Sequence, residues 1–350
     1  MNNLYSDVNN VILLDGSFAA VPIYQSLMER FSNVYVLSGR KSDTLKDICK
    51  NYINIDYADV AKVNAFAQEI GTNNILPGCN DVSYYTASRC RSALTVTTDL
   101  FDTLNNKLKF RNLLRSLNLR TPKVASPECV DSLGYPFLIK RQISYSGKGI
   151  TKIYQKEELS VCDFNPSVDL LEEYIPGQLK SASCILVDGA IVSMFVVNEF
   201  GDNYEFRVDR SYVDTGLKNS EVSEVSFIIS TIVDRLKIDK GLFHLQYIKN
   251  NSGEIYPIEA TLRFPGDLYG LLIEKSLGVS YFGSILDALI GNPIKKEVCQ
   301  KRRIERRTLF FHAQTSSELG IPNSQFYPVL TGNEDFKNGD RIGVRFEEMQ

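Results

Sequence analysis

Three oxygen-bearing side chains and one arginine lie near the end of a predicted β-hairpin. Two apolar runs flank residues 250–253, whose Asn, Ser and Gly composition is typical of a turn. If the turn centres between residues 252 and 253, antiparallel pairing places Gln246 opposite Glu259. If the strand persists as far as residue 263, its two-residue period directs Thr261 and Arg263 to the same face as Glu259. Carboxylate, amide and hydroxyl oxygens suit a hard cation such as Mg²⁺. A surface ion pair between Glu259 and Arg263 fits equally well, so this segment leaves both interpretations open.

A second segment that could do chemistry is the small, basic loop of residues 144–149, which has the sequence Ser-Tyr-Ser-Gly-Lys-Gly and follows Lys140 at the end of a predicted strand. Small residues let backbone amides approach phosphate oxygens, and lysines supply positive charge. The loop is not a Walker A motif, because Gln142 stands where that motif has glycine and Gly149 where it has Ser or Thr. Taken alone, it is more typical of a solvated hairpin turn.

Composition excludes several other chemistries. The 350 residues are 43% hydrophobic and 23% charged, which is typical of globular proteins, and the formal charge of −3 does not favour nucleic-acid or anionic-membrane binding. Seven scattered cysteines form no CxxC pair, and two histidines are too few for a three-histidine zinc site.

No apolar run reaches the length of a membrane span, and the first residues lack the basic region of a signal peptide. We therefore expect a cytoplasmic protein with small-molecule substrates and no nucleic-acid or membrane partner. A homodimer is compatible with the sequence.

The elements that must position these residues fall into two patterns. Short apolar strands at 11–14, 34–37 and 75–76 alternate with helical segments, which predicts βαβ units on a parallel sheet. Residues 15–20 contain one glycine and no GxGxxG, so the cradle for a dinucleotide pyrophosphate is missing. One amphipathic helix, capped by Asp99, is predicted to follow and to join two domains. Beyond it the pattern becomes antiparallel, with Asp188-Gly189 as a hairpin turn.

Taken in order, six segments resemble the ATP-grasp superfamily. They are Asn106 to Phe110 opening a helix, Tyr135 to Lys140, the loop 144–149, Leu171 to Gly177, Asp188-Gly189, and Ile258 to Arg263. Within the superfamily the chain looks most like the carbamoyl-phosphate-synthetase-type branch, which includes biotin carboxylases and amino-acid ligases. The resemblance covers about residues 10–295.

The resemblance implies an α/β protein in which an N-terminal Rossmann-like, parallel-sheet domain precedes a two-lobed α+β ATP-grasp domain. We expect the Rossmann-like domain at 1–100, the linker helix and small lobe at 101–185, and the large lobe with the metal site at 186–295. Residues 296–350 are expected to form a strand-rich tail that packs on the large lobe.

The resemblance also implies roles for residues at the nucleotide site. Lys107 and Lys140 match lysines that contact the nucleotide phosphates. The loop matches a flap that closes over them, and its implied contacts are Ser144, Ser146, Gly147, Lys148 and Gly149. Lys148 stands where relatives often have arginine, and we assign it a catalytic role. The strand between the lobes supplies Glu172, Glu173 and Ile175, which match groups that meet the adenine and the ribose.

A third set of implied roles concerns the metal and the reaction. Gln246 and Glu259 match metal ligands, and Thr261 stands at a third ligand position where relatives usually have asparagine. Arg263 matches the arginine that stabilises a phosphorylated intermediate, and Gly266-Asp267 matches a Gly-Asp pair that shapes the acceptor pocket.

These matches imply an ATP- and Mg²⁺-dependent ligase, with Mn²⁺ as an alternative cation. It would activate a small carboxylate, such as an amino acid, as an acyl phosphate and join it to an amine, with release of ADP. Two other functions stay open. One is a relative that activates bicarbonate, and the other is a noncatalytic nucleotide-binding protein.

Overall fold

The structure is a computed structural model that describes residues 9–40, 43–90, 92–144, 147–295, 301–310, 326–328 and 340–349. These residues divide into two compact units. The first unit holds the described residues up to 98, residues 240–242 and those from 262 onward, and the second holds 99–239 and 243–261. None of the helices in these ranges combines the length and apolar character that a membrane span needs.

The first unit begins with a parallel sheet of four strands. Strand β1 lies between β2 and β4, and β3 is at the edge beside β2. The strands are apolar and largely buried, as the sequence pattern predicts, and the predicted Rossmann-like sheet is confirmed. The strands are β1 (Asn10–Leu14), β2 (Asn33–Leu37), β3 (Asn51–Ile53) and β4 (Ile75–Pro77), and the helices are α1 (Val21–Met28), α2 (Leu45–Ile48), α3 (Val60–Glu69) and α4 (Asp81–Arg89).

Two adjacent helices stand where the sequence predicts one long helix. These are α5 (Thr98–Asn105) and α6 (Lys107–Ser116), and the chain is extended at Asn106 between them. The break has a local cause, because the Asn106 side chain accepts a hydrogen bond from the Lys109 backbone N–H and so caps α6. Lys107 is therefore the first residue of a helix.

A small antiparallel sheet and a large one make up the rest of the second unit. The small sheet has the order β5-β8-β6-β7 and comprises β5 (Val124–Ala125), β6 (Phe137–Arg141), β7 (Ile150–Ile153) and β8 (Asp169–Glu173), with helix α7 (Lys156–Leu159) after β7. The strands of the large sheet in this unit have the order β13-β12-β9-β10-β11. They are β9 (Gly177–Val187), β10 (Ala190–Phe200), β11 (Arg210–Val213), β12 (Gly241–Asn250) and β13 (Ile255–Thr261), and helix α8 spans Asn219–Leu236. Asp188 and Gly189 both have positive φ, as a two-residue hairpin turn requires.

The C-terminal residues complete the first unit. Helices α9 (Tyr269–Leu277) and α10 (Tyr281–Ile290) precede the strands β14 (Ile304–Phe310), β15 (Phe326–Pro328) and β16 (Arg341–Glu348), which pair in the order β14-β16-β15. Helix α10 packs against α1, where Arg30 and Asp287 form a two-bonded ion pair with both distances 2.9 Å.

This division differs from the four domains predicted from sequence. The first predicted boundary, at 100, lies close to the observed one. The second, at 185, falls inside β9, which pairs with β10 along most of its length and so cannot end a domain there. Residues 262–295, expected in the large lobe, group with the N-terminal unit. The described tail strands belong to that unit as well, and β14 packs on α9.

Candidate functional site

The hairpin of β12 and β13 brings the predicted metal ligands together. Gln246 pairs directly with Glu259, and His244 pairs with Thr261, so the predicted facing pair is confirmed. The Glu259 side chain is 44% exposed. The strand ends at Thr261, however, and does not continue to Arg263 as the sequence analysis assumes.

A β-bulge produces this pairing. Near the turn the register joins Tyr247 to Pro257, and it shifts by one residue before Gln246, which leaves Ile258 without a partner. Without the bulge Gln246 would face Ile258, and Glu259 would point to the opposite face of the sheet. Arg111 donates a hydrogen bond of 2.7 Å to the carbonyl oxygen of Ile258, so the extra residue is held in place.

Lys107 connects the hairpin to the basic loop. Its ammonium lies 3.0 Å from Glu259 Oε1 and also donates to the carbonyl oxygen of Ser144 at 3.0 Å. The Lys107 side chain is largely buried. Three residues predicted from different motifs are thus gathered at one place: Lys107, Ser144 and Glu259.

A carboxylate that sequence reasoning missed supports Gln246. Glu199, buried on β10, accepts hydrogen bonds from Gln246 Nε2 at 2.7 Å and from Ser181 Oγ at 2.8 Å. Because the Gln246 amide nitrogen is engaged by Glu199, its amide oxygen is left to act as the acceptor or ligand. An acidic residue near the end of a largely apolar strand is the signal that could have identified Glu199.

Lys140 lies in a buried ion cluster. Its ammonium is 2.5 Å from Glu172 Oε1, and Arg111 Nε is 2.9 Å from Glu172 Oε2. Burial by itself raises the pKa of Glu172, but the charges of Arg111 and Lys140 outweigh it and lower that pKa to about 2. Glu172 is fully buried and so holds α6, β6 and β8 together, whereas its role toward a nucleotide stays a prediction.

The remaining nucleotide-site residues lie at the end of β8, just after it, and in the loop between β6 and β7. Glu173 is partly exposed and accepts a hydrogen bond from the Lys123 backbone N–H, and Ile175 is buried just after β8. In the loop, Gly147 and Gly149 both have positive φ, and a Cβ at Gly147 would collide with the Phe206 carbonyl. Lys148 is exposed. Ser146 lies outside the described residues.

Arg263 belongs to the first unit and has a partner there. Its guanidinium donates two hydrogen bonds to Asp81 Oδ1, at 2.9 and 2.7 Å, and another to the Cys79 carbonyl. Glu259, in the second unit, pairs with Lys107. Each member of the ion pair considered in the sequence analysis therefore has a partner other than the one assumed there.

Oxygen atoms dominate the donor set that could hold a cation. Among the described residues, no three His, Cys, Asp or Glu side chains gather as a metal cluster. A cation here would rest on one carboxylate, from Glu259, together with the neutral oxygens of Gln246 and Thr261. Such a set of ligands suits a hard divalent cation that keeps several water molecules in its coordination shell.

Comparison with known proteins agrees with this geometry. Residues 104–264 match the ATP-grasp domain family. Over 264 residues the chain is 26% identical to formate-dependent phosphoribosylglycinamide formyltransferase of Prochlorococcus marinus, a match that covers 69% of this chain and 67% of the relative.

Solved structures resemble nearly the whole chain. N5-carboxyaminoimidazole synthetase from Staphylococcus aureus, complexed with ADP, superimposes with a TM-score of 0.81 at 15% identity and covers 100% of this chain and 95% of its own. Phosphoribosylglycinamide synthetase from Anaerococcus prevotii gives a TM-score of 0.70 at 14% identity, covering 97% and 93%. At these identities the likeness shows the fold.

The gathered lysine, glutamate and glutamine all lie within the segment that matches the ATP-grasp domain. The fold class predicted from sequence is confirmed, and the matched domain and the relatives support the predicted superfamily and the predicted type of enzyme, an ATP-dependent ligase that acts on small molecules.

The pH dependence of unfolding tests the Glu172 cluster. Because the pKa of Glu172 falls from 4.5 to about 2 on folding, its ionisation stabilises the folded chain above about pH 4.5, and this contribution is lost as the pH falls toward 2. The contribution is roughly 3 kcal/mol at neutral pH. In urea denaturation between neutral pH and about pH 3, the wild type should lose stability more steeply than Glu172→Gln. Glu224→Gln, which alters an exposed ion pair, should keep the wild-type slope. Equal slopes for wild type and Glu172→Gln would contradict this assignment.

Proposed function

We propose that this chain is a ligase that uses ATP and Mg²⁺ to activate a small carboxylate as an acyl phosphate and then joins it to an amine. One observation carries the proposal: Lys107, Ser144 and the facing pair of Gln246 and Glu259 meet on one face of the second unit. This segment lies within the matched ATP-grasp domain.

The names of the relatives support the type of bond that we propose, which joins a carboxylate to an amine. They describe a formyltransferase, a carboxyaminoimidazole synthetase and a phosphoribosylglycinamide synthetase. For this chain we propose the general form of such reactions, in which a carboxylate becomes an acyl phosphate and an amine displaces phosphate. A carboxylate oxygen is a poor leaving group, and phosphorylation removes that barrier at the cost of cleaving ATP to ADP.

Lys107 marks the place where a cation fits. Its ammonium now occupies a position beside Glu259, with the neutral oxygens of Gln246 and Thr261 on the same hairpin. A site that already holds one positive charge against a carboxylate fits a divalent ion of hard character. We propose Mg²⁺, with Mn²⁺ as the alternative. When bound, the ion would neutralise charge on the phosphates during transfer.

The chain's own residues would do the rest of the electrostatic work. With a cation beside Glu259, the Lys107 ammonium becomes available to a phosphate oxygen. Lys140, the Ser144 to Gly149 loop and Lys148 would add positive charge and backbone donors, and closure of the loop would exclude water from the acyl phosphate. Glu173 and Ile175 would meet the ribose and adenine.

Arg263 has the remaining proposed role, toward the phosphorylated intermediate. Its guanidinium is held by Asp81, and a donor fixed before the reaction needs no reorganisation when charge develops. The ammonium of Lys140, which we propose to contact a phosphate, is held by Glu172. A substitution there changes the buried cluster as well as any phosphate contact, so Lys140 is a poor test position.

The nucleotide product tests the order of the chemistry. If an acyl phosphate forms first, incubation with ATP, Mg²⁺, a carboxylate and an amine should release ADP and phosphate in equal amounts. Ion-exchange chromatography of the nucleotides measures this. Stoichiometric AMP would contradict the proposal in favour of adenylation. ADP formed with bicarbonate as the only acid would favour the carboxylating alternative, and binding of ATP without either product across the substrate panel would favour the noncatalytic one.

The substitution Glu259→Gln tests the proposed metal site by removing the charge of a single carboxylate. The change keeps the shape of the side chain but removes its charge, and losing about 3 to 4 kcal/mol of transition-state stabilisation lowers turnover roughly a hundredfold to a thousandfold. Phosphate release across a Mg²⁺ titration measures both the rate and the midpoint. The matched control is Glu224→Gln, which removes an exposed glutamate paired with Arg120 and should keep wild-type turnover. Wild-type rate and midpoint in Glu259→Gln would place the metal elsewhere.

A further inference from the structure

The side chain of Gln246, one of the proposed cation ligands, is held by a buried carboxylate that lies two strands away. Glu199 is on β10, and β9 runs between β10 and the strand β12 that carries Gln246. Gln246 Nε2 donates a hydrogen bond of 2.7 Å to Glu199 Oε2, so the two side chains meet over β9. The reaction proposed above uses Gln246, and it does not by itself require a buried carboxylate beside that residue.

Glu199 is fixed in place from both of its neighbouring strands. It is 4% exposed, and Ser181 Oγ on β9 donates to its Oε1 at 2.8 Å. Gln178 Nε2, near the start of β9, donates to the backbone carbonyl of Glu199 at 2.8 Å. On the other side, Glu199 pairs with Ser211 of β11. A carboxylate anchored in this way presents its second oxygen to Gln246 from one direction only.

This carboxylate determines which end of the Gln246 amide is left for a cation. The two ends of a glutamine amide have nearly the same shape, but one donates hydrogen bonds and the other accepts them. An ionised carboxylate only accepts, so Glu199 binds the amide nitrogen and disfavours the amide oxygen. Glu259, the cross-strand partner of Gln246, lies on the opposite side of β12 from β9. The amide oxygen is therefore the end that a cation shared with Glu259 would meet.

The orientation of this amide affects cation binding directly. If the amide turned over, its N–H groups would point toward the cation, and they carry partial positive charge. An amide without a fixed partner divides its time between the two orientations. The apparent affinity of the site is then reduced by the fraction of molecules in the competent orientation. A partner that holds one orientation removes this loss before the cation binds.

We propose that Glu199 is a positioning residue for the cation: it holds the Gln246 amide oxygen toward the site and so sets the affinity for Mg²⁺ or Mn²⁺ without touching the ion. The proposal rests on the ligase function above, for which Gln246 and Glu259 are the proposed cation ligands. It requires one donor and one acceptor at positions 199 and 246, and their order can be exchanged. A carboxylate at position 246 offers an oxygen in both orientations, and an amide at position 199 can donate to it.

Binding of Mn²⁺ to the full chain tests this inference without relying on turnover. Manganese(II) chloride is titrated alone and again with ADP, and the EPR signal of the free ion gives the dissociation constant. Glu199→Gln sets an amide against an amide and should raise this constant about tenfold. Gln246→Glu brings two carboxylates together and should lower the melting temperature. The double variant, with the two roles exchanged, should recover the melting temperature and bind Mn²⁺ within about threefold of the wild type.

Two further variants separate positioning from a general loss of stability. Ser181→Ala removes one anchor of Glu199 and should weaken Mn²⁺ binding by less than Glu199→Gln does. Glu224→Gln, which alters an exposed ion pair of the same unit, should keep the wild-type affinity. Melting temperatures show which variants are folded at the temperature of the titration. If the double variant does not fold, Glu199→Gln and Ser181→Ala decide the question.

Two results would overturn the inference and leave the cation site in place. One is wild-type affinity in folded Glu199→Gln. The other is a folded double variant that binds Mn²⁺ as weakly as Glu199→Gln, which would mean that Glu199 itself binds the ion. A wild type that binds no Mn²⁺, with or without ADP, contradicts both the inference and the proposed metal site. Cation binding with the expected pattern, but without ADP production from ATP in any substrate mixture, supports the inference and contradicts the ligase.

Discussion

The buried carboxylate of Glu172 is the contact on which the second unit depends. It neutralises Arg111 from α6 and Lys140 from β6 at the same time, and all three side chains are almost completely withdrawn from water. A buried charge that loses its partner costs about 3 to 5 kcal/mol, so these three elements are constrained as a set. Arg111 extends the constraint further, because it also donates to the carbonyl oxygen of Ile258 on β13.

That last hydrogen bond links stability to the candidate metal site. Ile258 is the extra residue of the bulge, and the bulge determines which side chains of β13 face Gln246. Because neighbouring side chains on a strand point to opposite faces, a shift of one residue decides whether Glu259 meets Lys107 or points away from it. The acidic partner of the proposed cation is thus positioned by α6, through Arg111. Glu199 fixes Gln246 by a separate route, through its amide nitrogen.

The two units hold buried charge in different ways. In the second unit the positive groups nearest the site are matched by carboxylates: Lys107 has Glu259, and Lys140 has Glu172. Binding a cation or a phosphate there exchanges one ionic partner for another, which limits the cost of desolvation. In the first unit, the carboxylates of Asp15 and Asp43 accept hydrogen bonds from neutral donors. Both arrangements hold polar groups in fixed positions before a substrate binds.

Local pattern determined much of this protein. Alternating apolar strands and helices predict the parallel sheet, and Asp188-Gly189 predicts the hairpin of β9 and β10. The turn residues 250–253 predict the hairpin of β12 and β13, but the pairing next to this turn is one residue away from the predicted one, and the facing pair of Gln246 and Glu259 depends on the bulge. Each of these depends on residues close together in the sequence. Tertiary structure decided the rest. The bulge corrects the register by one residue, and no local pattern marks Ile258 as the extra position. In the sequence, Arg111 is one of several charged residues of a helix. Its burial depends on the ion pair with Glu172, which lies 61 positions away. Arg263 forms an ion pair with Asp81, which lies 182 positions away in the sequence. Such pairs depend on which surfaces the folded chain brings together, and side-chain type and spacing along the sequence do not contain that information.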